Sequence, residues 1–543
     1  MDDMKGGTMS QKWILRTIVP ALLCAAGLSP AHAADERQSL EELRNTVINL
    51  LDALVKRGIV SQEQAAAMVA DAQAKATAEA QARAAKDSAE AGAVRVTYVP
   101  ETVRAQIRDE VRAELRKDVA QDVVAQARDE KWGVPGALPS WVSAVRLTGD
   151  LRVRAQSDRF SADNLEGAYL DFLTVNSRGG IGRAGDAALL NVSENRLRER
   201  IRLRLGLEAA LTNGVTMGVR LASGNTTDPV STNQTLGQYG GRYNVVIDQA
   251  YLRFDTKPAD VSRLTVLAGR TPNPFYSTDL VWDQDMTFEG VAATLRQGFG
   301  GGRHAYLTGG AFPLQEIELS SSDKWLFAGQ LGLDWPWDGG GRLRAAVSYY
   351  QFENTVGRRN ALDSTLLDYT APRFLQRGNT LFDIRNDADP ATNLFALAAD
   401  YRVANVTVGV DWPLLGHKVF ATADYVKNLG YDTADVRART GLTIRKRNTG
   451  YQAEVGVGTT TAARAGDWRA SIMYRYVQRD AVMDAFTDSD FHLGGTDAKG
   501  FVLRGEWWFR DRTWLTLRYL SANEIDGPPL GIDTVMLDVN SQF

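Results

Sequence analysis

Five arginines stand at alternate positions, Arg196, Arg198, Arg200, Arg202 and Arg204, and Leu197, Ile201, Leu203 and Leu205 fill the positions between, with Glu199 the one departure. Successive side chains of an extended strand point to opposite faces, so this spacing sets a row of guanidinium groups behind a row of aliphatic ones. Turned toward lipid, each midplane arginine would cost roughly 2–4 kcal/mol. The row must therefore face water. What it offers there is a fixed positive field that attracts and orients polar solutes, not bond-making chemistry. Arg152 and Arg154 take the same parity in the stretch where Val145, Leu147, Leu151 and Val153 alternate with charged residues, and Arg220 lies on a neighbouring strand.

Other chemistries find few side chains. Beyond the first 33 residues the histidines are His304, His417 and His492, far apart and in no paired spacing. They suit structural or exposed positions better than a metal site or a Ser, His and acid arrangement, so the chain is not expected to be an enzyme. Cys24 is the only cysteine and lies in an apolar leader, which excludes a disulfide scaffold, a thiolate metal site and a cysteine nucleophile from the mature chain. No cofactor or metal is expected. With 62 Lys and Arg against 66 Asp and Glu, the chain lacks the basic excess that nucleic-acid phosphates require.

The elements that position the arginines follow from the rest of the 543 residues. Residues 1–33 have the form of a secretory signal peptide: Lys12 and Arg16, an apolar run from Ile18 to Leu28, and Ala31-His32-Ala33 as the cleavage site, so that the mature chain starts near Ala34. Leu23 stands before Cys24 where lipidation needs a small residue. Residues 34–131 form a helical, periplasmic segment in this reading. Leu40, Leu43, Val47, Leu50 and Leu54 make a heptad seam, Ser61 and Gln64 cap an alanine-rich helix, and a third helix runs from Glu101 to Lys131. Stripes this polar are stable only when bundled with other helices or other copies. The alternative is a solvated linker, because the alanine-rich middle has little apolar area. Gly133, Pro135 and Pro139 punctuate a linker at 132–143.

From 144 to 543 the texture is period-two alternation, the mark of a transmembrane antiparallel β-barrel. Sixteen stretches carry it, at 144–157, 196–210, 215–223, 245–256, 262–270, 286–297, 303–312, 324–335, 341–353, 394–412, 416–429, 448–459, 466–480, 498–510, 513–523 and 533–543. Short turns such as Thr212-Asn213-Gly214 and Asp511-Arg512 exchange with long loops, the asymmetry of an outer-membrane barrel with short periplasmic turns. The stretch 394–412 is too long for one regular strand and changes apolar parity between Val403 and Val406, so a bulge is expected at Ala404-Asn405. Trp325, Trp335, Trp412, Trp468, Tyr474, Trp507 and Trp514 fall near strand ends as interfacial girdles do. Val535, Leu537, Val539, Ser541 and Phe543 alternate in a pattern similar to an outer-membrane assembly signal.

Three stretches are more specific: GRTPNPFYSTDLVWDQDMTFEGVA from Gly269 to Ala292, YVPETVRAQIRDEVRAELR upstream, and KWGVPGALPSW before the first strand. Together they resemble the putative porin family of Gram-negative bacteria, whose members carry an N-terminal coiled coil. The resemblance implies an outer-membrane diffusion channel, a homotrimer in outer-membrane lipid, and a third external loop that folds inward to narrow the pore. Carried onto this chain, that loop runs from about Thr271 to Asp285, with Asp279, Asp283 and Asp285 as its acidic lining. Facing Arg152, Arg154, Arg198, Arg200, Arg202, Arg204 and Arg220, it would create a transverse field, or the arginines would simply pair with the loop and hold it. Two further readings stay beside general diffusion of small hydrophilic solutes and ions. One is an anion-selective, phosphate-like channel, and the other a tether to peptidoglycan through the N-terminal helices.

Overall fold

The computed structural model describes residues 144–543 apart from 319 and 460–463, together with scattered positions between 63 and 81. Those earlier positions are helical and exposed. The expected leader, the seam from Leu40 to Leu54, the third helix and the linker lie outside the described residues.

The strands are β1 (Val145–Phe160), β2 (Arg196–Thr212), β3 (Val215–Ser223), β4 (Val245–Ala259), β5 (Ser262–Pro272), β6 (Thr287–Gly298), β7 (His304–Gln315) and β8 (Lys324–Trp337). They continue as β9 (Gly341–Glu353), β10 (Arg402–Leu414), β11 (His417–Asn428), β12 (Thr449–Gly458), β13 (Trp468–Val477), β14 (Ala498–Arg510), β15 (Thr513–Glu524) and β16 (Gly531–Gln542). Each pairs antiparallel with its neighbours in chain order, and β1 also pairs with β16, so sixteen strands close into a ring. At this seam Gly149 and Phe543 exchange backbone hydrogen bonds of 3.2 and 3.0 Å. A side chain on Gly149 would collide with the Phe543 ring, 2.4 Å from where its Cβ would sit.

All long connections emerge at one end, led by 161–195, 224–244, 273–286, 354–401, 429–448 and 478–497. The other end carries shorter connections, most of them tight turns. Leu415 and Gly416 both have positive φ, 50° and 80°, the backbone that a two-residue hairpin loop needs to match the strand twist.

The alternation has the physical meaning expected of it. Leu151, Val153, Leu203, Leu205, Leu307, Leu331, Val347, Val455, Ile472, Leu517 and Leu537 are exposed on the outside of the ring, an apolar belt that only lipid would cover. Trp335, Trp337, Trp468 and Trp507 edge this belt toward the short turns, and Tyr349, Tyr425, Tyr451, Tyr474 and Phe501 edge it toward the long loops. Among the described residues no helix is long and apolar enough to cross a membrane.

The lumen departs from the simplest barrel, because it contains a hydrophobic core. Leu280, Val281 and Trp282 of loop 273–286, Ala396 to Ala399 of loop 354–401, and Val482 and Met483 of loop 478–497 pack against inward side chains of the strands. Those partners are Phe288, Phe312, Leu326, Tyr350, Phe352, Val403, Val426 and Val477. Each large apolar side chain so buried contributes about 1.5–3 kcal/mol, so the loops are held inside as firmly as elements of a soluble domain.

This core corrects the reading of 394–412. Phe395–Leu397 pairs with Leu381–Asp383 in a small hairpin of the loop, and β10 begins only at Arg402. The strand runs in unbroken register with β9 and β11, and there is no bulge at Ala404-Asn405. The parity changes because Val403 faces inward onto the loop core. Register shifts fall elsewhere, for instance between Arg220 and Leu221, between Pro313 and Gln315, and between Trp508 and Arg510.

Candidate functional site

The arginine row lies on the inner face of β2, and its register with β1 creates an electrostatic problem. Arg204 is opposite Asp150, but Arg202 is opposite Arg152 and Arg200 opposite Arg154. Like charges directly across a ladder repel, so carboxylates must arrive from elsewhere. Asp150 accepts from Arg202 at 3.0 Å and from Arg204 at 2.7 Å, and Asp285 of loop 273–286 accepts from the same two at 3.2 and 3.1 Å. Arg154 is fully buried and twice paired, to Asp538 on β16 at 2.7 Å and to Asp490 of loop 478–497 at 3.0 Å. Arg198 pairs with Asp158 at 2.7 Å, and Arg220 with Asp248. Arg152 and Arg200 have no carboxylate partner among the described residues and donate instead to Asn233, and to Gln156 and Ser231.

Loop 273–286 spans the lumen. At one end Asp285 joins the arginine row. At the other, Asp279 accepts from Arg475 of β13 at 2.6 Å and from Gln452 of β12 at 3.2 Å. Between them, Asp283 meets no arginine. It takes the backbone N–H groups of Asp285 and Ser489, 2.8 and 2.9 Å away. Burial, with the Asp488 and Asp285 carboxylates nearby, holds the Asp283 carboxyl well above the usual carboxylate range. Burial pushes Asp285 the same way, but Arg202 and Arg204 outweigh it and keep that carboxyl below the usual range. The three acidic residues expected to line one wall thus make three different contacts: with the arginine row, with the opposite wall, and with a second loop.

Several residues of this arrangement were not singled out from sequence. Arg475, buried with its guanidinium over the Phe491 ring, pairs with Asp279 and also with Asp488 at 2.7 Å. Arg518 of β15 pairs with Asp490 at 2.7 Å. Loop 478–497 therefore reaches Arg154 and Arg518 through Asp490 and Arg475 through Asp488, a second inward loop beside the expected one. Gln330 of β8, itself buried, holds the backbone of Tyr276 and donates to Ser348 at 2.8 Å. Parity was the available signal: Arg475 alternates with Tyr474 and Tyr476, and Gln330 with Leu331 and Gly329.

Beneath loop 273–286, toward the short turns, two cavities stay open. One of about 520 Å³ is lined by Arg253, Arg263, Arg296, His304, Asp334 and Arg344 among others. A second of about 220 Å³ is lined by Asp279, Gln452, Glu454, Ser471 and Arg504. Tyr276 and Arg344 line both and stand at their boundary.

A closed sixteen-strand ring with an apolar outer belt, aromatic girdles and a charged, loop-narrowed lumen defines an outer-membrane β-barrel of the channel type. A family model described as putative porin matches residues 44–543, and the chain belongs to that family. It is an outer-membrane porin of the Gram-negative kind. Its fold is similar to that of Pseudomonas putida OprB in a high-pH structure, at 11% identity over 74% of this chain and 95% of that one, with a TM-score of 0.42. It is similar also to Salmonella typhi OmpF in complex with daunomycin, at 13% identity over 74% and 97% of the two chains and a TM-score of 0.38. A triple mutant of the Rhodopseudomonas blastica porin matches at 11% identity over 74% and 100%, with a TM-score of 0.33. No curated protein matches the chain.

Proposed function

We propose that the protein passes small hydrophilic solutes and ions by passive diffusion, with loop 273–286 as the size filter. The observation that carries this reading is the loop's suspension across the lumen, from Arg202 and Arg204 on one wall to Arg475 on the other, above open space. Solutes then move around the loop, and fixed charges along the route bias which ions follow. The arginine row serves first as an anchor, since most of its members are already paired. Liposomes bearing the full chain should swell in sugars up to a size limit, and planar bilayers should show stepwise ohmic conductance. Folded barrels that produce neither would reject the reading.

A preference for anions is favoured by the count of charges. Arg152, Arg154, Arg198, Arg200, Arg202, Arg204 and Arg518 stand against Asp150, Asp158, Asp285, Asp490 and Asp538, an excess of cations in one network. Association into a homotrimer is supported by the outer faces of β16, β1, β2 and β3. Leu147, Leu151, Leu197, Leu203, Leu205, Leu221 and Leu537 are exposed there, with no exposed Trp or Tyr to form a girdle. The helical segment at 34–131 would lie in the periplasm and reach peptidoglycan, which pull-down of cell wall with the full chain and with a chain lacking 34–131 tests.

A further inference from the structure

We infer that Arg296 and Arg344, on the wall away from the arginine row, form the transit site for small anions and set the ion preference of the channel. The inference rests on the diffusion reading above and names the charges that do the selecting.

The first step is subtraction. Most of the arginines around the row are neutralised, Arg202 and Arg204 by Asp150 and Asp285, Arg198 by Asp158, and Arg154 by Asp538 and by Asp490 of loop 478–497, which leaves Arg152 and Arg200 without a carboxylate among the described residues. None of these arginines lines the two cavities under the loop. A charge already satisfied by a hydrogen-bonded carboxylate exerts little net field on a passing ion.

The same subtraction leaves a residue of charge in the larger cavity. Arg253 and Arg263 share Asp255, at 3.0 and 2.9 Å, and Asp334 is taken by Arg342. Arg296 of β6 and Arg344 of β9 face the same space, are exposed to it, and pair with no carboxylate among the described residues. Arg344 is also fixed in place. Its guanidinium lies 5.1 Å from the centre of the Tyr276 ring, and Tyr276 is held by Gln330. A guanidinium stacked on a ring keeps its in-plane N–H donors free, which is the geometry for receiving an oxyanion or a halide. Because Arg344 borders both cavities, an ion crossing from one to the other passes it. Binding by two exposed, water-bathed arginines is favourable enough to draw an anion in and weak enough to release it.

The test uses the full chain in planar bilayers under a potassium chloride gradient, read as reversal potential. The wild type should prefer chloride. Arg296→Gln combined with Arg344→Gln should lower the chloride-to-potassium permeability ratio by at least about threefold, the size expected for removing two partly screened charges beside the path. Arg296→Lys with Arg344→Lys should restore it, and Arg200→Gln should move it less than the double glutamine variant does. Conducting double-glutamine channels with an unmoved ratio, or a larger shift from Arg200→Gln, would overturn the inference and leave the diffusion reading intact. A folded wild type that never conducts would overturn both.

Discussion

The side-chain amide of Gln330 grips Tyr276 at both ends of its backbone, accepting from the N–H and donating to the carbonyl, each at 2.9 Å. A loop that must stand in moving water is thus fixed at one residue by two bonds from a buried wall position. Gln330→Leu would leave both backbone groups of Tyr276 without partners, at a cost of about 1–3 kcal/mol. The expected result is a folded barrel with a noisier open current, measured as flicker in single-channel recordings.

Gly409 supports the same residue by having no side chain. A Cβ there would sit 2.4 Å from the Tyr276 hydroxyl. Gly409→Ala should push the phenol off the β10 wall and disturb the stack with Arg344, which single-channel conductance would register as an altered unitary step. Gly505→Ala, where nothing lies within reach of the added methyl, is the control.

Arg475 is almost wholly buried between Asp279 and Asp488. Arg475→Met strands two carboxylates out of water, and breaking a buried pair in this way costs about 3–5 kcal/mol. The variant should unfold at lower temperature in a heat-modifiability assay. Adding Asp279→Asn and Asp488→Asn to it should recover much of the loss, since the stranded charges are then gone.

Asp484 makes the attachment of loop 478–497 sensitive to pH. Burial raises its carboxyl to about 7, with Asp480 adding to the effect, and one of its oxygens has no hydrogen-bond partner. The folded chain therefore keeps a proton that the unfolded chain would release, and the stability this brings is complete below the ordinary carboxylate range and lost as pH rises through about 7. Proteolysis within the loop should be slower at about pH 5 than at about pH 8, and Asp484→Asn should flatten the difference.

The outward half of each strand was legible because lipid imposes one rule on every outward position. The outward parity of Leu147, Leu151, Leu203 and Leu205, repeated along the chain, gives sixteen strands, most with ends within a few residues of those observed. Inward positions obey no single rule. Where the lumen stays open they are charged, as at Arg296 and Arg344. Where loops pack inside they are apolar, as at Phe288, Phe352 and Val403, and there the alternation disappears. The misplaced bulge at Ala404-Asn405 has this cause. The arginine row was visible for the opposite reason, five like charges at one parity being hard to place anywhere else. Its partners came from parts of the chain with no fixed spacing to it: Asp490 and Asp538 lie more than 300 positions from Arg154, and only the folded ring brings them together.

The seam between β1 and β16 bears on the order of events in assembly. Arg154 and Asp538 meet across it from 384 positions apart, with every other strand between them in the chain. Contacts of such separation form late, because the entropy of closing so long a loop is lost before any contact repays it. Until β16 docks, the sheet has two open edges whose N–H and C=O groups can pair with any strand that passes. Ring closure is thus the slow and hazardous moment in the life of this chain. An ion pair that forms only as the seam closes holds the ring shut, so weakening Arg154 or Asp538 should show first in how fast closed rings reopen and only afterwards in the yield at which they form.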